Sequence, residues 1–387
     1  MEPNELKAHG RALVHLITHA LHGTRPTRQW LEETDLAAVY RLSKRHSVSG
    51  IAYAPVKEAV AAYGEGVLDR SLFVRWHNRY TKALTRLIAY DLEREALSAF
   101  LSEKGCRYVF LKGILLSEYY PAIGMRQMSD NDILFDPRFA PDVRRDMKHA
   151  GYKTVSYGVG CHDVYAKGDL RFEMHRRLVS RKSPDRVAVR YYENVWKRLV
   201  PAGKGTERRM TDEDFYVYFL SHAHKHCTGH GYGIRFLIDT FVFLREKGST
   251  LDRAYVRAEL SRLSLSDFER TVRSLSEKLF SGKEEPLTER EEEFFLYCLS
   301  AGTFGTYETS VENRLHRLAG GGRIRFATRA RYLLGRIFPP FDYYLGKHPV
   351  LARLILPIPF LWIARLLRGA GRGRDVREEL YHLRNAK

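Results

Sequence analysis

Asp130 and Asp132, in the run Arg126-Gln-Met-Ser-Asp-Asn-Asp-Ile-Leu-Phe135, are the residues of this chain best spaced for chemistry. The Ile133-Leu134-Phe135 triplet is apolar and partly β-branched, which reads as a buried strand, and residues two apart along a strand project from the same face. Two carboxylates so placed stand about 6–7 Å apart and repel each other unless a cation sits between them. Hard oxygen donors suit Mg²⁺ or Mn²⁺, and the chemistry that such a pair serves is phosphoryl transfer. The same residues also make an ordinary polar turn ahead of a strand, and spacing alone does not separate the two readings.

The elements around the pair decide what it could work with. Upstream, Leu72 to Glu103 has apolar positions at helical spacing and stops at Gly105, and a strand is expected over Arg107–Leu111. That strand runs into Lys112-Gly113, a basic residue and a glycine whose backbone N–H groups could approach a phosphate. A helix over Ile114–Tyr120 and a loop through Pro121, Gly124 and Arg126 then lead to the acidic run. Downstream, Pro137–Ala150 reads as a helix ended by Gly151, and Tyr152–Val155 as a strand. A hairpin follows, His162–Ala166 and Leu170–His175, joined across Lys167-Gly168-Asp169. In its second arm Leu170, Phe172 and Met174 share one face and Arg171, Glu173 and His175 the other, which puts a third carboxylate on a polar strand face.

These residues resemble the nucleotidyltransferase superfamily, the polymerase-β-like fold, and within it the uncharacterised bacterial nucleotidyltransferases. The matching elements are Phe110-Leu111-Lys112-Gly113, Tyr120-Pro121, Arg126, Ser129-Asp130-Asn131-Asp132-Ile133-Leu134, Gly151-Tyr152, Phe172-Glu173-Met174-His175, and the segment His222 to Asp239, over roughly residues 30–245. The resemblance implies an α+β fold, a nucleotidyltransferase-like mixed β-sheet core flanked by N-terminal and C-terminal helical regions. It implies that Asp130, Asp132 and Glu173 bind Mg²⁺ or Mn²⁺ and carry catalysis, and that a nucleoside monophosphate passes from a nucleoside triphosphate to an acceptor hydroxyl. Lys112, Gly113, Arg126 and Ser129 would then contact the nucleotide phosphates, with His175, His222 and His226 as accessory residues. Two departures stand out: Gly113-Ile114 replaces the usual Gly-Ser, and Asn131 stands where an apolar residue is more common. The alternative is a catalytically silent nucleotide-binding or membrane-surface regulatory protein that retains the fold.

His222-Ala-His-Lys-His226 also invites a zinc reading, since His222 and His226 share a helix face. Zinc sites want three or four ligands and Cys227 falls off that face, so a helix packed beside the site is the favoured reading. Arg235 and Asp239, four apart on the next helix, look like an internal ion pair.

With 387 residues, 44% hydrophobic and 12% aromatic, the chain can bury real cores and is not a disordered protein. Four regions are expected: helical 1–103, an αβ core over 104–200, a helical region 201–310 packed on that core, and a basic, partly apolar helical region 311–387. Lys204–Arg209 reads as a linker, with capping-box-like helix starts at Thr211 and Thr288. Cys106, Cys161, Cys227 and Cys298 lack C-x-x-C spacing, and Glu2 and Glu5 precede no apolar signal core, so free thiols and a cytoplasmic location are expected. No Walker-type G-x-x-x-x-G-K-[ST] occurs, which argues against a P-loop enzyme.

The formal charge is +18, and residues 314–387 carry 16 basic against 4 acidic side chains. Within that tail Pro349–Leu367 is apolar but broken by Arg353, Arg365, Pro357 and Pro359, which opposes a membrane span. The tail fits peripheral contact with an anionic inner membrane surface, a nucleic-acid backbone, or a buried helical hairpin, and the sequence does not separate these. Which nucleotide and which acceptor (small molecule, protein or RNA) are used is not legible either.

Overall fold

The computed structural model describes residues 2–203, 205–303, 305–320 and 322–338, together with 362, 363, 381 and 383. The chain divides into two compact units, Met1–His224 with Gly233–Thr303, and Lys225–Tyr232 with Phe304–Lys387.

The first unit opens with helices α1 (Pro3–His22), α2 (Arg28–Glu33), α3 (Leu36–Arg45), α4 (Ser49–Tyr63) and α5 (Arg70–Glu103). Asp69 caps the long α5, its carboxylate accepting from Leu72 N at 2.8 Å. Five strands follow, β1 (Tyr108–Phe110), β2 (Asn131–Phe135), β3 (Lys153–Ser156), β4 (His162–Lys167) and β5 (Leu170–His175), in the sheet order β1-β2-β5-β4-β3. Only the central β2–β5 pair is parallel; β1–β2, β5–β4 and β4–β3 are antiparallel, so the sheet is mixed as expected.

Alternation along the strands sorts the side chains. Ile133 and Phe135 of β2 and Phe172 and Met174 of β5 bury one face against Tyr90, Leu97 and Leu101 of α5, and against Val143 and Met147 of α7 (Ala140–His149), which follows α6 (Gly113–Leu116). Each such side chain contributes about 1.5–3 kcal/mol of burial. Asp132, Glu173 and His175 leave by the other face. The two-residue turn Gly168-Asp169, with Gly168 at φ 57°, fixes the hairpin register so that Val164 faces Glu173 and His162 faces His175.

Helices α8 (Arg186–Tyr192), α9 (Asp212–Cys227), α10 (Arg235–Lys247), α11 (Arg253–Arg262), α12 (Ser266–Phe280) and α13 (Glu289–Ala301) complete the elements that flank the sheet. Thr288 and Glu291 form the expected capping box, Glu291 N donating to Thr288 Oγ1 at 3.3 Å and Thr288 N to Glu291 Oε2 at 2.8 Å. Two local expectations change. The helix over Ile114–Tyr120 divides into α6 and a 3₁₀ turn, Ser117–Tyr119, and the expected linker contains Arg208–Arg209, which pairs with Val200–Pro201 in a short ladder.

The division into units also differs from the four expected regions. N-terminal and later helices share one core: Thr18 Oγ1 donates to Leu279 O at 3.1 Å, and Arg11 pairs with Glu292 at 2.7 Å. In the second unit, α14 (Tyr307–Leu318) and α15 (Phe326–Ile337) pack through Val311, Leu315 and Tyr332 together with Leu383. Asn313 Nδ2 donates to Cys227 O at 2.7 Å and Gly229 O at 3.1 Å, both within that unit. Among the described residues no helix is long and apolar enough to cross a membrane. Apart from Trp362 and Ile363, Pro349–Leu367 lies outside the described residues, as does most of the basic tail.

Candidate active site

Asp132 of β2 and Glu173 of β5 are register partners on adjacent parallel strands, so backbone pairing alone sets the two carboxylates side by side. His175, two residues on, projects from the same face, and its Nε2 donates to Asp132 Oδ1 at 2.6 Å. Asp132, Glu173 and His175 offer ligand atoms all within 4.8 Å of one another. Asp130 lies just before β2, half-buried, and its Oδ1 accepts from Ser129 Oγ at 3.1 Å. It stands outside that tight group, where His175 occupies the third place.

Lys112 occupies the strand-end turn with φ 48° and ψ −113°, a strained backbone for a residue with a side chain. From there its Nζ donates to Asp132 Oδ1 at 2.9 Å. Burial pushes the Lys112 ammonium down, but the charge of Asp132, helped by Tyr218 and Asp130, outweighs it and raises the pKa. Asp132 answers in kind: burial alone would raise it, and Lys112 and the His175 hydrogen bond hold it well below the carboxylate range. Asp130 goes the other way. Burial, then repulsion from Asp132 and Glu173, lift it above its ordinary value despite Lys112. One carboxylate firmly ionised beside another pushed up is the electrostatic condition that a divalent cation relieves. The donor set of carboxylate oxygens fits a hard ion, Mg²⁺ or Mn²⁺.

Arg126 departs from its expected place among the phosphate contacts. Its guanidinium is buried, Nε donating to Asp239 Oδ1 at 2.8 Å and Nη2 to Asp239 Oδ2 at 2.9 Å, with Nη1 3.3 Å from Gly113 O. Tyr120 Oη donates to Asp239 Oδ1 at 2.8 Å as well. This bidentate pair replaces the expected Arg235–Asp239 pairing, because Arg235 Nη1 donates instead to Gln127 O at 3.1 Å. Gly113 has a packing reason to be glycine: a Cβ there would lie 2.4 Å from Arg126 Nη1. Ile114, where a serine is usual, turns into the core with Tyr108 and Ile133, so that side chain is not at the cleft.

The loop before Asp130 is clamped from several sides. Ser49 N donates to Gln127 Oε1 at 2.9 Å, and Tyr90 Oη donates to Ser129 O at 2.9 Å while accepting from Arg171 N at 3.0 Å. Tyr90 thereby ties the acidic run to β5. Asn131 is buried on the core face and accepts from Arg94 Nη1 of α5 at 3.3 Å, which accommodates a polar residue at an apolar position.

His222 packs on Tyr218 with ring centroids 6.3 Å apart, and His226 on Tyr232 at 5.4 Å. Among the described residues neither belongs to a cluster that could hold a metal. Three residues named in the sequence were given no part in the site. Arg235 is buried, its Nε has no hydrogen-bond partner, and its charge acts on Asp130. Cys161 and His162 sit at the start of β4, where His162 Nε2 lies 3.6 Å from Glu173 Oε2. The hairpin register could have found His162, since counting outward from Gly168-Asp169 places it opposite His175.

The family described as uncharacterised nucleotidyltransferase matches residues 32–281, a span holding the whole sheet and every site residue named above. No curated protein and no solved structure gives a significant match. With the family covering well over half of its length, the chain belongs to the uncharacterised nucleotidyltransferases.

Proposed function

We propose that this nucleotidyltransferase moves a nucleoside monophosphate from a nucleoside triphosphate to an acceptor hydroxyl, using Asp130, Asp132 and Glu173 and a divalent ion, Mg²⁺ or Mn²⁺. The observation that carries the reading is the parallel pairing of Asp132 with Glu173, with Asp130 close enough to be pushed up by both. These carboxylates would hold the ion, with His175 bound to Asp132 as an accessory residue. When bound, such an ion stabilises charge on the attacking and leaving oxygens of an in-line displacement at phosphorus.

The residues of the chain do the rest. The acceptor oxygen forms a bond to the α-phosphorus, the bond from that phosphorus to the bridging oxygen breaks, and pyrophosphate leaves with the electron pair. Glu173, half-buried and on the cleft face, takes the acceptor proton. Lys112 exchanges Asp132 for the triphosphate, as its single hydrogen bond and strained turn allow. Arg235, one guanidinium nitrogen unpaired, adds a second positive charge beside Asp130, and Ser129 orients that carboxylate. Arg126 acts as a positioning residue: it fixes Gly113 and the loop from below and does not bind phosphate. His222 and His226 are accessory at most.

The test is incubation of the full chain with each α-labelled nucleoside triphosphate and Mg²⁺ or Mn²⁺, with RNA, protein and small hydroxyl compounds as acceptors. Label transfer that is lost in Asp130→Ala/Asp132→Ala supports the reading; identical behaviour of wild type and variant across every acceptor removes it. For the basic segment 314–387 we propose peripheral contact with an anionic membrane surface, supported by its 16 basic residues. Flotation with anionic vesicles should depend on that segment, and indifference to its deletion overturns the idea.

A further inference from the structure

We infer that Cys161, His162 and His175 form a separate site for a borderline-soft divalent ion of the zinc class, built against the back of the carboxylate cluster. The three side chains offer ligand atoms within 4.8 Å of one another, and two of them are buried. Cys161 Sγ lies 3.5 Å from His162 Nδ1. Zn–S and Zn–N bonds of about 2.3 and 2.05 Å at a tetrahedral angle put sulfur and nitrogen about 3.6 Å apart, so this pair already stands at chelating distance.

The nitrogens of the two imidazoles are divided in the same way. His175 Nε2 is taken by Asp132 at 2.6 Å, which leaves Nδ1, buried and without a hydrogen-bond partner. His162 Nε2 lies 3.6 Å from Glu173, leaving Nδ1 toward the thiol. His175 thus has one nitrogen on a carboxylate and the other free for the Cys161 side, while His162 has Nε2 near a carboxylate and Nδ1 beside the thiol. That is the carboxylate–histidine–metal arrangement, in which the carboxylate fixes the tautomer and orientation of the ligand. It is made at His175, whose orienting carboxylate is Asp132; at His162 the carboxylate of Glu173, the register partner of Asp132, stands 3.6 Å from Nε2.

The backbone holds the thiol in place. Arg176 N donates to Cys161 O at 2.8 Å, and Arg176 Nε donates to the buried Asp163 at 2.9 Å, while Gly158 N donates to the same carboxylate at 2.7 Å. Cys161 Sγ stands beside both imidazoles, and a bound ion would take it as the thiolate, releasing the thiol proton. One sulfur and two imidazoles select zinc-class ions over magnesium, whereas the carboxylate cluster selects the opposite. Two cations of different softness would therefore occupy adjacent sites, linked through the His175–Asp132 and His162–Glu173 pairs.

The experiment is titration of chelator-treated full-length protein with Co²⁺, read by absorption, and with Zn²⁺ in competition with a chromophoric chelator. We expect one equivalent of Co²⁺ with a near-ultraviolet thiolate-to-cobalt charge-transfer band, displaced by Zn²⁺. Cys161→Ser should abolish the band, and His162→Gln should weaken Zn²⁺ binding at least about tenfold. Cys106→Ser, a buried thiol elsewhere, should keep both. Wild type without the thiolate band, a band that survives Cys161→Ser, or Zn²⁺ affinity equal in wild type and His162→Gln would each overturn the inference. The wild-type spectrum decides even if a variant fails to fold.

Discussion

Lys112–Asp132 and Arg126–Asp239 are both cation–carboxylate pairs inside the first unit, yet they are built differently. In the cleft, Lys112 reaches Asp132 by one hydrogen bond from a strained turn, and its side chain retains 15% exposure. Beneath the loop, Arg126 grips Asp239 with two nitrogens, its side chain is 6% exposed, and Tyr120 adds a further donor to the same carboxylate. A monodentate lysine at a cleft can be traded for a substrate charge; a buried bidentate arginine cannot be moved without uncovering an unpaired carboxylate. On the proposed reading the comparison separates a charge that would handle ligand from a charge that holds the scaffold, although each basic residue lies within two positions of a glycine.

The comparison can be broken by mutation, beginning with the scaffold. Asp239→Asn leaves Arg126 buried without its charge partner and should cost about 3–5 kcal/mol, seen as a large drop in the urea midpoint. Lys112→Met should instead leave the midpoint closer to wild type and lower kcat/KM for nucleotide by about 10²–10³-fold. It should also tighten Mn²⁺ binding, because the amine no longer competes at Asp132; unchanged Mn²⁺ affinity would count against an exchangeable lysine. Gly113→Ala drives a methyl against the Arg126 guanidinium and should cost about 1–3 kcal/mol, with transfer falling in step with stability.

The most gradual effect, near zero at neutral pH, concerns acid and the support of α10. His46 is buried, its Nδ1 accepting from Ile234 N at 3.4 Å and its Nε2 donating to Leu299 O at 3.2 Å. Burial, then the charge of Arg45, lowers its pKa from 6.5 to about 3. Protonation therefore favours the unfolded chain: the stability tied to neutral His46 is intact above about pH 6.5 and is lost as pH falls toward about 3. Each unit in that window should cost up to about 1.4 kcal/mol, and denaturation of His46→Gln should show a flatter acid limb than wild type.

How much of this was legible in the sequence varies by residue. Asp132, Glu173 and the strands that carry them follow from side-chain alternation, which is a local property. The register that makes them neighbours is not local, since it depends on β5 pairing with β2 across 40 intervening residues. The pairing expected between Asp239 and Arg235 fails because a partner 113 residues away, Arg126, outcompetes the neighbour four residues away on the helix. Cys161 reads as a free thiol because C-x-x-C spacing is lacking; its neighbour His162 is adjacent in the chain, but His175 is brought opposite only by strand pairing. The four expected regions differ from the two units because helices distant in sequence pack into one core around the sheet.

The most direct test of the central claim uses doubly labelled nucleoside triphosphate, one isotope on the α-phosphate and another on the γ-phosphate, with the full chain, Mg²⁺ or Mn²⁺, and the acceptors above. The account predicts α-label on the acceptor and γ-label in pyrophosphate in equal amounts, both lost in Asp132→Asn and in Glu173→Gln. Release of γ-label as orthophosphate, or equal products from wild type and Asp132→Asn, would contradict it.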